Sequence, residues 1–285
     1  MFSEYGNEME LSGTPFSVSM CVYGGDHPEH FKVAIDSILN QTICPNEVVL
    51  VVDGPVPVAL GCIIDQYRSM EQFHVIQLAT NTGHGYARRV GLENCQHELV
   101  ALMDADDISV PTRFQKQLSC FQSNPSLAIV GGIIEEFTGT IECAAVKRVV
   151  PFTDAEIKQF LRNRCPMNQV SVMFRKSIVQ SVGGYQDWYC NEDYYLWIRL
   201  FQAGAVFANL PDTLVHVRTG ADMYQRRGGW KYFVSEAKLQ HYMFTNRIIS
   251  PAQYIMNCLK RFVVQVMLPN KIRKCIFIRF ARDAV

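Results

Sequence analysis

Three carboxylates stand within four residues at Asp104-Ala105-Asp106-Asp107, directly after the apolar run Leu99-Val100-Ala101-Leu102-Met103. The run is too short for a helix and does not alternate, so it reads as a strand buried on both faces. Carboxylates do not stay buried without partners. The cluster therefore belongs at the strand's carboxyl end, facing a cleft or a cation. Hard oxygen ligands this close together suit Mg²⁺ or Mn²⁺, which take a few carboxylates and complete their shell with phosphate oxygens and water. The same residues also make an acceptable acidic turn capping the next helix, with Asp107 or Ser109 near its N-terminus. Taken alone, the stretch leaves a metal site and a helix cap equally open.

The elements that must position this cluster are legible on both sides of it. Phe16 to Tyr23 reads as a strand. Gly24-Gly25-Asp26-His27-Pro28 then turns into a helix, with Asp26 or His27 as its cap and Phe31, Ala34, Ile35, Ile38 and Leu39 at helical spacing. Glu47 to Val52 is a second buried strand, ended by Asp53-Gly54-Pro55. A helix near residues 58 to 70 and a strand from Phe73 to Leu78 follow. The polar turn Asn81-Thr82-Gly83-His84-Gly85 feeds a helix carrying Ala87, Val90, Gly91 and Leu92. This alternation predicts an α/β fold with a doubly wound, Rossmann-like, mostly parallel sheet and right-handed crossovers. Such sheets carry their ligand crevice at the carboxyl ends of the strands, where the loops after Tyr23, Asp53 and Asp104 converge.

The second half is less regular. A helix follows Pro111, and Leu127 to Val130 reads as a strand closed by Gly131-Gly132. Thr153-Asp154-Ala155-Glu156 is a capping-box start. Val170 to Phe174 reads as a strand, Gly183-Gly184-Tyr185 as a tight turn and Tyr194 to Ala203 as an amphipathic helix. Residues 1–15 read as a flexible tail, 16–220 as the main domain, and 221–285 as a helical, basic-amphipathic extension.

Composition narrows the class. The chain has 285 residues, 48% of them hydrophobic, which suffices for one large core. A formal charge of zero argues against nucleic acid as the main partner. Ten cysteines are scattered without a Cys-x-x-Cys pair, which fits reduced thiols in a cytoplasmic protein better than zinc or a disulfide scaffold. The first residues, with Glu4, Glu8 and Glu10, do not read as a signal peptide, and no apolar run reaches membrane-spanning length.

Six stretches carry a resemblance. Val18-Ser19-Met20-Cys21-Val22-Tyr23, Ser37-Ile38-Leu39-Asn40-Gln41-Thr42, Val51-Val52-Asp53-Gly54, Asn81-x-Gly83-x-x-x-Ala87-Arg88, Asp104-Ala105-Asp106-Asp107 and Asn191-Glu192-Asp193-Tyr194-Tyr195-Leu196-Trp197 occur in this order. Together they resemble the family-2 glycosyltransferases of the GT-A fold, and most closely bacterial enzymes of surface-polysaccharide assembly of the amylovoran and O-antigen type. The likeness covers roughly residues 16 to 220. It implies a nucleotide-sugar donor, UDP-linked by expectation, and a glycan or polyprenyl-diphosphate-linked acceptor. It places Val22 and Tyr23 at the nucleobase, Asp53 on the uracil or ribose, and Arg88 near the base or diphosphate. Asp104 approaches the ribose and joins Asp106 in holding divalent Mn²⁺ or Mg²⁺. Asp193 becomes the catalytic base of an inverting transfer, with Glu192 on the acceptor side. Two positions depart from the pattern. Gly54-Pro55 leaves Asp53 as the sole carboxylate of its motif, and Arg89 stands where Asn is common.

Local explanations compete with several of these roles. Asp53 before Gly-Pro is also an ordinary turn residue. Glu192 and Asp193 also suit the first turn of a helix. His216 reads either as a late metal ligand or as a structural histidine at a strand end, Trp197 as core, and Arg226-Arg227 as phosphate contacts or a solvated face. A nucleotidyltransferase shares the carboxylate pair, but Gly24-Gly25-Asp26 lacks the basic residue its phosphate loop would carry. A non-catalytic nucleotide-sugar-binding scaffold is the alternative of another class. From Lys260 to Arg282, basic and apolar residues interleave with aromatic anchors, which suits either the inner face of the cytoplasmic membrane or packing on the domain.

Overall fold

A computed structural model describes residues 13–144, 146–220, 228–269, 272–273 and 282–284. The expectations for most of the N-terminal tail, for Arg226-Arg227 and for most of 270–282 therefore lie outside the described residues. Four strands and three helices alternate first: β1 (Phe16–Tyr23), α1 (Pro28–Leu39), β2 (Glu47–Asp53), α2 (Val58–Arg68), β3 (Phe73–Gln77), α3 (His84–Asn94) and β4 (Leu99–Met103). The strands pair in parallel in the order β4-β1-β2-β3. Every residue of β2 and β4 is buried, which explains their unbroken apolar runs. The order reverses at β1, so the crevice opens where β1 and β4 end.

Side chains alternate between two cores. Val48, Leu50 and Val52 pack on one face with Phe31, Ile35 and Phe114, while Val49 and Val51 join Leu102, Trp197 and Leu239 on the other. Full burial of a side chain of this size stabilises the fold by about 1.5–3 kcal/mol. Trp197 is core, fully buried.

The second half makes the sheet mixed. It runs through β5 (Ile108–Ser109), α4 (Arg113–Ser123), β6 (Leu127–Phe137), β7 (Val146–Arg148), α5 (Asp154–Leu161), β8 (Met173–Arg175), α6 (Lys176–Ser181), α7 (Glu192–Gln202) and β9 (Val206–Arg218). β8 lies antiparallel between β4 and β6, and β9 runs parallel to β6 and antiparallel to β5. Gly131-Gly132 do not close a strand as the sequence suggested; β6 continues through them to Phe137. A Cβ on Gly132 would meet the Leu214 side chain at 2.6 Å, and one on Gly131 would meet Asn209 Oδ1 at 2.5 Å. The glycines admit β9 rather than turn the chain.

Two helices follow, α8 (Trp230–Thr245) and α9 (Pro251–Phe262), then a π-helical turn at Val263–Met267. Leu239 and Met243 of α8 belong to the second core, so the extension is packed on the domain. β10 (Asp283–Ala284) returns to pair with β7. Arg273 and Arg282 are buried. Arg273 donates to the carbonyls of Val264, Gln265 and Leu268, and Arg282 pairs with Glu136. These two cations, read from the sequence as part of a stripe that either faces a membrane or packs on the domain, are spent inside the protein because backbone carbonyls and a carboxylate claim them. Among the described residues, eight cysteines from Cys21 to Cys258 are free thiols.

Candidate active site

The ends of β1, β2 and β4 and the start of α3 enclose a cleft of about 730 Å³, lined by Tyr23, Asp26, Asp53, His84, Asp104 and Asp106 among others. The turn after β2 needs glycine: Gly54 has φ +87°, and a Cβ there would lie 2.5 Å from the Asn81 nitrogen. That close approach lets Asp53 organise the neighbouring turn. Its Oδ1 accepts from the Thr82 N–H at 2.7 Å and the Thr82 hydroxyl at 2.9 Å, and its Oδ2 accepts from the Gly83 N–H at 3.0 Å. Val22 packs its side chain in the core, whereas the Tyr23 ring stands half-exposed at the mouth.

The carboxylate cluster is not a helix cap. α4 begins at Arg113 behind Thr112, and the Asp107 Oδ1 accepts the Arg218 N–H at 2.8 Å. Arg218 also donates through Nε to the Asp106 carbonyl at 3.2 Å. Behind the cluster, the Gln41 amide donates to the Val110 carbonyl, and the Ser37 hydroxyl accepts from the Ser109 N–H. The conspicuous Ser37 and Gln41 thus anchor the segment after the acidic residues to α1.

Arg88 does not line the cleft as a bare cation. It is 4% exposed and donates to Asp104 Oδ1 at 2.5 Å. Burial raises the Asp104 carboxyl, but Arg88 and His84 outweigh it and hold the group below its usual range. Burial, with Asp104 and Asp26 nearby, pushes Asp106 up to about 6. Asp26 rises to about 6 chiefly through burial. Among the described residues no set of three His, Cys, Asp or Glu side chains is arranged to hold a metal ion. Asp104 and Asp106 nevertheless fit Mg²⁺ or Mn²⁺, which is commonly bound by one or two carboxylates with substrate phosphates and water. Their mutual repulsion is what such a cation relieves.

The remaining sites fall elsewhere. His216 does not reach the cleft; its Nδ1 lies 3.3 Å from Glu135 Oε2, and its backbone pairs with Ile108, which fits the structural reading. Glu192 lies against the first turn of α3, its Cβ 3.8 Å from where a Cβ on Gly85 would stand. Burial, then neighbouring Asp193, pushes its carboxyl up to about 7. Asp193 lines a second cleft, with the Cys165 thiol 3.9 Å from its Oδ2. His84 was given no role from the sequence, and Asp26 was read only as a cap of α1; that cap position is His27, and Asp26 Oδ2 instead accepts the Tyr23 N–H at 2.9 Å. Asp26 sits in the turn after β1 and His84 opens α3 after β3, on the same edge of the sheet as the strand ends Tyr23 and Asp53.

The model of glycosyl transferase family 2 matches residues 17–185. An amylovoran biosynthesis glycosyltransferase (AmsE) of Erwinia amylovora is 40% identical over 224 residues, covering 79% of this chain and 84% of its own. A UDP-Gal:α-D-GlcNAc-diphosphoundecaprenol β-1,3-galactosyltransferase of Escherichia coli is 34% identical, covering 94% and 96%. The crystal structure of S. aureus TarS residues 1–349 with UDP-GlcNAc superposes with a TM-score of 0.63 at 16% identity, covering 94% of this chain and 76% of that one. That likeness establishes the GT-A fold.

Proposed function

The chain belongs to glycosyl transferase family 2, and from that premise we propose that it moves a sugar from a UDP-sugar to a polyprenyl-diphosphate-linked glycan in surface-polysaccharide synthesis, by inverting, metal-assisted displacement. One observation carries the reading: Tyr23, Asp53, Asp104 and Asp106 meet in a single cleft at the carboxyl edge of the sheet. The relatives support the substrates. One acts on a diphosphoundecaprenol-linked sugar, and the TarS structure holds UDP-GlcNAc.

Tyr23 and the Val22 backbone face the nucleobase, and Asp53 fixes the turn that borders the uracil or ribose. Asp104, oriented by Arg88, faces the ribose. Asp106 with Asp104 would hold Mn²⁺ or Mg²⁺, which when bound supplies Lewis-acid neutralisation of the leaving diphosphate. Asp193 takes the proton of the acceptor hydroxyl, and Glu192 shapes the space between donor and acceptor. General-base help of this kind is worth about 10²–10⁴-fold. A β-linked product, as the relative's name records, is what direct displacement on an α-linked donor gives.

Purified protein with Mn²⁺ is expected to release UDP from one UDP-sugar when a synthetic lipid-diphosphate acceptor is present. Failure with every UDP-sugar and acceptor offered would reject the reading, including its choice over a nucleotide-sugar-binding scaffold.

The outer side of α9 and of the turn after it supports a reaction carried out at a membrane surface. Ile255, Leu259 and Met267 are 65%, 56% and 64% exposed, and Met256 and Val263 continue the apolar face. Exposed Trp230 adjoins it through Phe233 and Phe262, with ring centroids 5.4 Å apart at each step. An amphipathic helix with an aromatic flank suits the interface of a bilayer. No helix among the described residues is long and apolar enough to cross a membrane. Full-length protein is expected to float with anionic liposomes, and Ile255→Ser with Leu259→Ser to stay in the soluble fraction; equal behaviour of the two would refute the contact.

A further inference from the structure

Arg88 is 4% exposed, and a buried guanidinium has more N–H groups to satisfy than one carboxylate oxygen can take. Asp104 Oδ1 accepts from Nη2. Further acceptance comes from the second half of the chain, at Gln169, which opens a 3₁₀ turn (Gln169–Ser171). With its amide oxygen toward the guanidinium, Gln169 accepts from Arg88 Nε and Nη1, each at 3.1 Å; the opposite orientation would set N–H against N–H. Asp104 and Gln169 use different nitrogens, so neither displaces the other. The turn that carries Gln169 is pinned on both sides of it. Asn168, 1% exposed, donates through Nδ2 to the Gly132 carbonyl at 2.8 Å. The Ser171 hydroxyl, fully buried, accepts from the Gly132 N–H at 3.1 Å and donates to the Asn168 carbonyl at 2.7 Å. The buried Gln117 amide donates to the Ser171 carbonyl at 2.9 Å. The turn is thus held without help from the Gln169 side chain, which is left to meet Arg88.

We infer that Gln169 is a positioning residue of the donor cleft: it holds the Arg88 guanidinium in the orientation that fixes Asp104 toward the donor. Arg88 hung on Asp104 alone could swing about that single contact, and the carboxylate would turn with it. The rigid turn on β6 removes that freedom, because a hydrogen bond from a fixed backbone sets the plane of the guanidinium before any ligand arrives. A free protein that kept Asp104 in place only about a tenth of the time would bind the donor about tenfold more weakly. Gln169 is only partly buried, so water can reach the N–H groups that its loss would vacate, and the fold does not depend on it. The inference rests on the reading of this cleft as the donor site, but it is testable without turnover.

The test is calorimetric titration of the full chain with UDP in the presence of Mn²⁺, for wild type, Gln169→Met and Gln169→Glu. Methionine matches glutamine in length and fills the same space, but it offers the guanidinium no oxygen. Glutamate restores the oxygen. Gln169→Met is expected to melt in EDTA within about 4 °C of wild type. It is expected to bind UDP about tenfold more weakly, with Gln169→Glu recovering to within about threefold of wild type. Equal affinity of Gln169→Met and wild type overturns the inference, since packing alone would then suffice. A loss in Gln169→Glu as large as in Gln169→Met overturns it too, because the accepting oxygen would then not be what matters. A larger fall in melting temperature does the same, by making the side chain a support of the fold rather than of the site. No UDP binding by wild type overturns the donor cleft and the inference together. The expected pattern of affinities in a protein that releases no UDP from any UDP-sugar would leave Gln169 in its role and reject the transferase reading instead.

Discussion

Asp106→Ala is expected to abolish Mn²⁺-dependent UDP-sugar binding and to lower turnover by about 10³-fold or more, the loss of several kcal/mol of charge stabilisation at the leaving diphosphate. The fold should survive. Asp26, Asp104 and Asp106 crowd one cleft, and burial with its two neighbours already raises the Asp106 carboxyl. Removing one of three like charges relieves repulsion, so a thermal melt in EDTA should show the variant at least as stable as wild type. A carboxylate that capped a helix would behave oppositely, losing about 1 kcal/mol of stability and sparing activity. Donor titrations by calorimetry with and without Mn²⁺ check the first half, and the melt checks the second. Normal turnover by the variant, or full wild-type activity in EDTA, would remove the metal from Asp106.

Asp193→Asn keeps the shape of the side chain and cannot accept a proton. It is expected to retain UDP-sugar affinity, because Asp193 lies outside the donor cleft, and to lose about 10²-fold or more in turnover. The carboxylate is held in place by its element. It stands in the first turn of α7, whose Leu196, Trp197 and Leu200 are fully buried. The helix dipole there favours the ionised form a base needs. A variant with near-normal turnover, or one that lost donor affinity and turnover together, would contradict the assignment. The first outcome dismisses the base, and the second moves Asp193 to the donor.

The first half of the fold was legible because its signals are local. Unbroken apolar runs marked β2 and β4, and turn residues marked where they end. The parallel-sheet rule then brought Tyr23, Asp53 and Asp104 to one edge without any knowledge of packing. The same rule, applied to the turns after β1 and β3, would have found Asp26 and His84. What escaped depends on partners distant in sequence. Gly131-Gly132 looked like a turn because nothing nearby announces that β9, some eighty residues later, packs against them. Arg88 looked like a cation for phosphate until Asp104 was seen to claim it. His216 was ambiguous until Glu135 supplied its neighbour. The cations of the C-terminal stretch suited either a membrane face or packing on the domain, and Arg273 and Arg282 are drawn into the protein by carbonyls and by Glu136. Nothing local separates Glu192, which lies against the first turn of α3, from its neighbour Asp193, which lines a second cleft.

The anomeric configuration of the product tests the central claim, a single displacement assisted by Asp193, most directly. The sugar transferred from an α-linked UDP-sugar to a lipid-diphosphate acceptor should be β-linked when the product is read by NMR. An α-linked product would contradict it, since retention requires a different course from direct attack by the acceptor hydroxyl.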